Sequence, residues 1–196
     1  MATDIRIVKT RRNIESHFIQ LLSQFDFNDI TIKLLTTTCQ INKTTFYRNY
    51  ADKYDLLNKI STDLLGHYIQ VVDREPTILT GDPSYLIPII DYFEQNQEAL
   101  LILLHRPLPI TLFDDMLTVF QSVLLTAFNV KEPDASEKQV QVMSFYARLI
   151  AGNILTTIRW QHTEKPLLRK DELISLIMES FEDGVLPSIH EKFPNL

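Results

Sequence analysis

An all-α fold is predicted by three features of the sequence. Apolar residues recur at helical spacing almost throughout. Most of the prolines fall at or beside the breaks between these stretches, as they must if helices end before them. Only 4 glycines occur in 196 residues, which disfavours a β-rich or loop-rich fold. With 45% hydrophobic residues the chain can bury a core in one domain, or in one small and one medium domain.

The elements follow in order. Ile14, Phe18, Leu21, Leu22 and Phe25 lie on one face of a first helix, broken by Asp26 to Asp29. Thr31 can cap a short helix over 32–39, Asn42 a second over 43–49, and Asp52 a third over 52–73. The third carries Leu57, Ile60, Leu64, Tyr68 and Val71 on one stripe, with Asp55 at its positive end. Beyond a proline-bounded break, helices are expected near 84–104, 110–129, 135–163 and 171–184, with Pro88 kinking the first of these or marking its first turn. Asp134 reads as the cap of the 135–163 helix, with Glu137 as the acid at its third position.

Charge is divided unevenly. Residues 1–60 hold nine Lys/Arg against six Asp/Glu, although the whole chain carries a net charge of −6. A basic head on an acidic body suggests that the head alone meets a polyanion. The single cysteine, Cys39, excludes an internal disulfide and fits a reducing compartment; a small buried hydrophobe is the reading for it. The opening residues lack the apolar segment of a signal peptide, and the longest apolar run, Ala99 to Leu104, is far short of the about 20 residues of a membrane span. The expectation is a cytoplasmic protein with no membrane partner. There is no Gly-rich phosphate loop, no His pair at i, i+4 and no Cys/His metal spacing, so neither an enzyme nor a cofactor nor a metal is expected. Asp114-Asp115 diverges by about 100° on a helix and reads as a solvated face.

Three short capped helices with a tight turn at Gln40-Ile41 form the pattern of a helix-turn-helix unit. The stretch from Ile30 to Leu57 resembles the TetR family of transcriptional regulators. Thr31, Ile41, Phe46-Tyr47, Tyr50, Lys53 and Leu56-Leu57 all fall in register, as does the lead-in Lys9-Thr10-Arg11. Two residues depart from the pattern: Gln40 stands where the turn usually has Gly, and Thr36 where a small Ala usually packs. A left-handed Gln40 would cost on the order of 1 kcal/mol.

Helix geometry turns Ile41, Phe46 and Tyr50 inward and leaves Lys43, Thr44, Tyr47 and Arg48 for a major groove. The resemblance adds Lys33 as a base or phosphate contact. It implies phosphate contacts at Thr31, Thr45, Asn49 and Lys53, with Arg11 and Arg12 as arm-type candidates. Alone, each of these residues reads as ordinary packing or solvated surface; together with the register they point to double-stranded DNA.

Farther along, Phe145-Tyr146, Gly152 and Trp160 are similar to the C-terminal part of a TetR branch common in Gram-positive bacteria, whose last two helices pack against a second subunit. Periodicity agrees. The 135–163 helix carries one stripe of Val142, Phe145, Leu149 and Thr156 and a second of Met143, Ala147, Ile150 and Ile154, so it must be buried on two sides. A monomeric bundle is the alternative. In many family members the middle of the body holds an inducer. Tyr68, Phe93, His105, Phe120, Tyr146 and Trp160 are the candidate ligand-binding residues here, though for any one ring packing is the better reading.

The expectation is therefore a helix-turn-helix domain at 1–51 and a regulatory and dimerisation domain at 52–196, the 52–73 helix connecting them. The resemblance implies a homodimeric repressor on a palindromic operator, released by an unknown small-molecule effector. The alternatives are a body that answers to a protein partner, or a helical enzyme with a chance helix-turn-helix pattern.

Overall fold

The computed structural model describes residues 5–164 and 168–192. Among these residues every regular element is helical: α1 (Ile5–Gln24), α2 (Ile32–Thr38), α3 (Lys43–Tyr47), α4 (Lys53–Val72), α5 (Leu86–Gln95), α6 (Gln97–Leu103), α7 (Leu112–Lys131), α8 (Glu137–Glu164), α9 (Lys170–Ser180) and α10 (Leu186–Lys192). None is long and apolar enough to cross a membrane.

The chain forms two compact units. One contains the chain up to Leu64 together with Glu98–Ile110; the other contains Leu65–Gln97 and the chain from Thr111 on. The division falls inside α4, so one continuous helix belongs to both.

In the first unit the apolar faces of α1, α2, α3 and the start of α4 converge. Ile14, Phe18 and Leu22 of α1, Leu35 of α2, Phe46 of α3 and Leu56 of α4 are fully buried. Phe25, expected on the same stripe, is exposed, because α1 ends at Gln24 and the backbone leaves the helical path before the ring can turn inward.

The second unit is built on α7 and α8, its most extensive helix pair. Met116, Phe120, Leu124 and Phe128 line the buried face of α7, and Met143, Ala147, Ile150 and Ile154 that of α8. The other stripe of α8 stays at the surface of the chain.

Several boundaries differ from the sequence expectation for identifiable reasons. The single helix expected over 84–104 is two. Asn96 leaves the helical region at φ −109°, ψ 18° and its side-chain amide donates to the Tyr92 carbonyl at 2.8 Å, offering the backbone an alternative to another turn. A 3-10 turn, Pro83–Tyr85, precedes α5, which places Pro88 in the first turn of that helix. At α8 the cap is Ser136, not Asp134. Its hydroxyl accepts from the Gln139 amide at 3.4 Å, while Gln139 Oε1 accepts from the Ser136 amide at 3.0 Å. The last expected helix, 171–184, begins one residue earlier, where the Arg169 amide donates to the Glu172 carboxylate at 2.8 Å. It passes through a π-helical turn, Phe181–Val185, into α10, whose first turn contains Pro187. Pro166 lies outside the described residues.

Candidate nucleic-acid interface

The geometry of the first unit is set by caps. Thr31 Oγ1 accepts from the Leu34 amide at 3.1 Å and opens α2. Asn42 Oδ1 accepts from the Thr45 amide at 2.7 Å and opens α3. Asp52 Oδ1 accepts from the amides of Tyr54 and Asp55, both at 2.8 Å, and opens α4. Each cap sits where the sequence put it.

Between α2 and α3 the backbone closes a Schellman turn. The Gln40 amide donates to Thr37 O at 3.1 Å and the Ile41 amide to Thr36 O at 3.0 Å. This requires a left-handed residue after the helix, and Gln40 adopts φ 55°. The turn is held from outside as well: Asn13 of α1 donates its amide to the Cys39 carbonyl at 2.9 Å. The sequence reading passed over Asn13, which stands on a half-polar face of α1; no spacing rule marks an amide that caps a helix 26 residues away.

Thr36 is buried in spite of its hydroxyl, which donates back to Ile32 O at 2.8 Å. That intrahelical bond lets a polar residue occupy a position that would suit Ala. Cys39 is buried too, and burial raises its thiol to about 11, so it behaves as a small hydrophobe.

Helix α3 has two distinct sides. Phe46 is wholly buried and packs against the rings of Tyr47 and Tyr50, with centroids at 5.4 and 5.9 Å. Tyr50 is buried and donates its hydroxyl to the Glu15 carboxylate at 2.6 Å, tying the end of the α3 segment to α1. Burial and that carboxylate push the phenol well above its ordinary range. Lys43, Thr44 and Arg48 are exposed, and Tyr47 has 55% of its surface in solvent. Ile41, expected inward, is half-buried.

Lys33 and Thr31 are exposed on α2 and at its start, while Thr45 is half-buried behind the outer face of α3. Arg11 Nε donates to Asn49 Oδ1 at 3.4 Å, bringing the α1 arm and the end of α3 together, and Asn49 donates to Thr45 O at 2.9 Å. Lys53, which the resemblance implies as a phosphate contact, turns its ammonium onto three backbone carbonyls of this same unit.

The six residues read as ligand-binding are divided between the two units. Tyr68, Phe93, Phe120, Tyr146 and Trp160 belong to the second unit and His105 to the first. Tyr68 packs against Tyr92 and Phe93, with centroids at 5.7 and 6.5 Å, and Phe93 stacks on His162 at 6.0 Å. Phe120 instead meets Tyr85 at 5.9 Å. Tyr146 is buried on α8, whereas Trp160, farther along the same helix, is exposed.

His162 was missed by sequence reading, because a lone His near a helix end carries no signal. Burial lowers its imidazole below the ordinary value. The Tyr68 hydroxyl and His162 Nε2 are both buried without a hydrogen-bond partner among the described residues. A groove of about 650 Å³ in this unit is lined by Ile69, Arg74, Val119, Val123, Ala127 and Lys131 among others, and by none of the six.

No protein-family model matches the chain. No curated protein matches it either. Among solved structures it is similar to the TetR transcriptional regulator from Streptococcus agalactiae 2603V, at 24% identity and a TM-score of 0.56, over 90% of this chain and 96% of that one. It is also similar to the dihydroxyacetone kinase operon activator DhaS, at 17% identity and a TM-score of 0.58, over 95% of this chain and 98% of that one. The all-α fold is thus TetR-like along nearly its whole length.

Proposed function

We propose that the chain is a TetR-type regulator of transcription that binds a palindromic operator as a homodimer and acts as a repressor, without enzymatic activity. The observation that carries this reading is the two-sided α3. A five-residue helix, capped by Asn42 and anchored by Phe46, presents Lys43, Thr44, Tyr47 and Arg48 to solvent as one surface. Lys and Arg can donate to guanine acceptors, and the Thr methyl and Tyr ring can meet thymine methyls in the major groove. Lys33, Thr31, Thr45, Asn49 and Arg11 surround that surface and would contact phosphates, fixing register without reading sequence. The fold similarity supports the class. Such a regulator works in the cytoplasm, where bacterial DNA lies.

The exposed stripe of α8 supports the dimer. Phe145 and Leu149 remain 62% and 42% exposed in the protomer, and they border a groove of about 520 Å³ shared with Gly152, Asn153 and Thr156. A second copy would cover such large apolar side chains. Tyr146, Gly152 and Trp160 belong to the same reading.

A small-molecule effector held by the second unit completes the reading. A protein partner in its place is favoured by one observation: Tyr68, Phe93 and Phe120 are at most 1% exposed and packed ring on ring.

Selection of bound duplexes from random sequence tests the function. The expected result is a palindrome bound with an affinity that falls steeply with salt. Binding of random duplexes as tightly as the best selected one would overturn it.

A further inference from the structure

The connection from α1 to α2 runs from Gln24 to Thr31 and is held from two distant points of the chain. Lys53, the first residue of α4, donates from its ammonium to Phe27 O at 2.7 Å, Asn28 O at 3.0 Å and Ile30 O at 3.0 Å. The same nitrogen lies 4.6 Å from the centre of the Phe27 ring. Arg106, beyond α6 but within the same compact unit, donates to Phe25 O at 3.0 Å and Ser23 O at 2.9 Å. Asp26 stands 3.7 Å from its guanidinium.

These five carbonyls lie at or beyond the end of α1, where a helix leaves its last carbonyls without intrahelical partners. A cation there also meets the negative end of the helix dipole. An ammonium has three protons, and each of those on Lys53 has a carbonyl. None is left for a phosphate oxygen unless this arrangement breaks.

We infer that Lys53 and Arg106 are positioning residues of the DNA reader, which brace the α1–α2 connection through five backbone carbonyls, and that Lys53 serves recognition in this way and not as a phosphate ligand. Ile30 immediately precedes Thr31, the cap of α2, so the position of its carbonyl sets where α2 starts. The Schellman turn then fixes α3 relative to α2. One ammonium thereby ties the first turn of α4 to the entry of the helix-turn-helix. Arg106 does the same for the end of α1 from a segment more than eighty residues away in sequence from Ser23. Arginine cannot replace Lys53 here: a planar fork does not reproduce three donors diverging from one nitrogen.

This inference rests on the DNA-binding reading, and its test separates the two. The duplex selected by the native chain and a scrambled duplex are titrated against the native chain, Lys53→Met, Lys53→Arg and Arg106→Met over a salt series, with the folded fraction measured by circular dichroism. Expected is a loss of about tenfold or more on the selected duplex, comparable to one good base contact, for each of the three variants. Scrambled-duplex binding and the salt slope should stay at the native values. Mere loss of fold would lower both duplexes together, in proportion to the folded fraction.

A phosphate contact gives a different pattern. Lys53→Met would then weaken both duplexes alike and reduce the salt slope by about one, and Lys53→Arg would restore binding. That outcome overturns the inference. The native chain supplies a second measurement that needs no variant. Without DNA, the ¹⁵N ammonium resonance of Lys53 should be visible at neutral pH, its protons held from exchange. A resonance lost to exchange, or one that gains coupling to ³¹P with the selected duplex, would also overturn it. If the native chain selects no duplex, the DNA-binding reading fails, while the ammonium resonance still decides whether the brace exists.

Discussion

Replacing Gln40 by Gly should stabilise the protein, and the amount can be worked from one torsion angle. Gln40 sits at φ 55° because the Schellman turn closing α2 needs a left-handed residue there. For a residue with a Cβ that conformation costs roughly 1–2 kcal/mol. Glycine removes the clash but gains freedom in the unfolded chain, returning about 0.5–1 kcal/mol. The exposed Gln40 side chain makes no hydrogen bond among the described residues that the change would break, so the net gain is about 0.5–1 kcal/mol. For a chain of this size that corresponds to about 1–4 °C in melting temperature. Urea unfolding of native protein, Gln40→Gly, Gln40→Ala and Gln40→Val measures it. The expected order of stability is Gly above Gln and Ala, with Val lowest because a β-branched side chain is least tolerant of positive φ. A glycine variant no more stable than the alanine variant would refute the strain argument. The turn geometry should survive in Gln40→Gly, so its affinity for the selected duplex should match that of the native chain.

Lys43→Ala and Tyr47→Ala should each weaken binding to the selected duplex by about 1–3 kcal/mol, and binding to a scrambled duplex by less, in a fluorescence anisotropy titration. If two copies pair through α8 as proposed, Leu149→Glu should yield a folded monomer by light scattering, because Leu149 is exposed in the single chain. Ile177→Glu, at a site only 2% exposed, should unfold the chain instead of merely separating two copies. His162 links stability to pH. Burial lowers its imidazole from the ordinary 6.5, so the unfolded chain binds the proton more readily and the native state is fully favoured only above that value. Stability should therefore decline as pH falls from 6.5 towards the lowered native value, and His162→Phe, which keeps a ring against Phe93, should flatten that decline in urea midpoints. An unchanged decline in the variant would assign it to other groups.

What sequence revealed and what it concealed divide along a physical line. Caps are local: Thr31, Asn42 and Asp52 act on amides two or three residues ahead, and all three were legible. The two sides of α3 were legible for the same reason, since helical spacing alone separates Phe46 from Tyr47. Asn13, Lys53 and Arg106 act on carbonyls 26, 23–26 and 81–83 residues away, and nothing in local spacing encodes such a partner. The break at Asn96 was hidden because apolar periodicity runs on from α5 into α6. In the second unit the sequence could name the aromatic residues but not group them. Burial alone did not distinguish Tyr68, packed on Tyr92 and Phe93, from Phe120, packed on Tyr85.

A five-residue helix cannot hold its own shape in water, because nucleation costs more than so few hydrogen bonds return. The orientation of α3 must therefore come entirely from its surroundings. Asn42 fixes its start, the left-handed Gln40 fixes the angle at which the chain enters, Asn13 holds the end of α2, and Phe46 and Tyr50 anchor its inner side. None of these residues projects from the exposed surface of α3. Of the residues that do, Lys43, Thr44 and Arg48 make no side-chain bond among the described residues, while Tyr47 also packs its ring on Phe46. Residues that would choose a base sequence can thus change without disturbing the frame that presents them. Conversely, a change at Asn13 or Asn42 should impair every DNA sequence the reader prefers without altering the order of preference. Asn13→Ala tests this: it should reduce affinity for all specific duplexes by a common factor, whereas Lys43→Ala should re-rank them. A re-ranking by Asn13→Ala would mean that frame and reading surface are not separate.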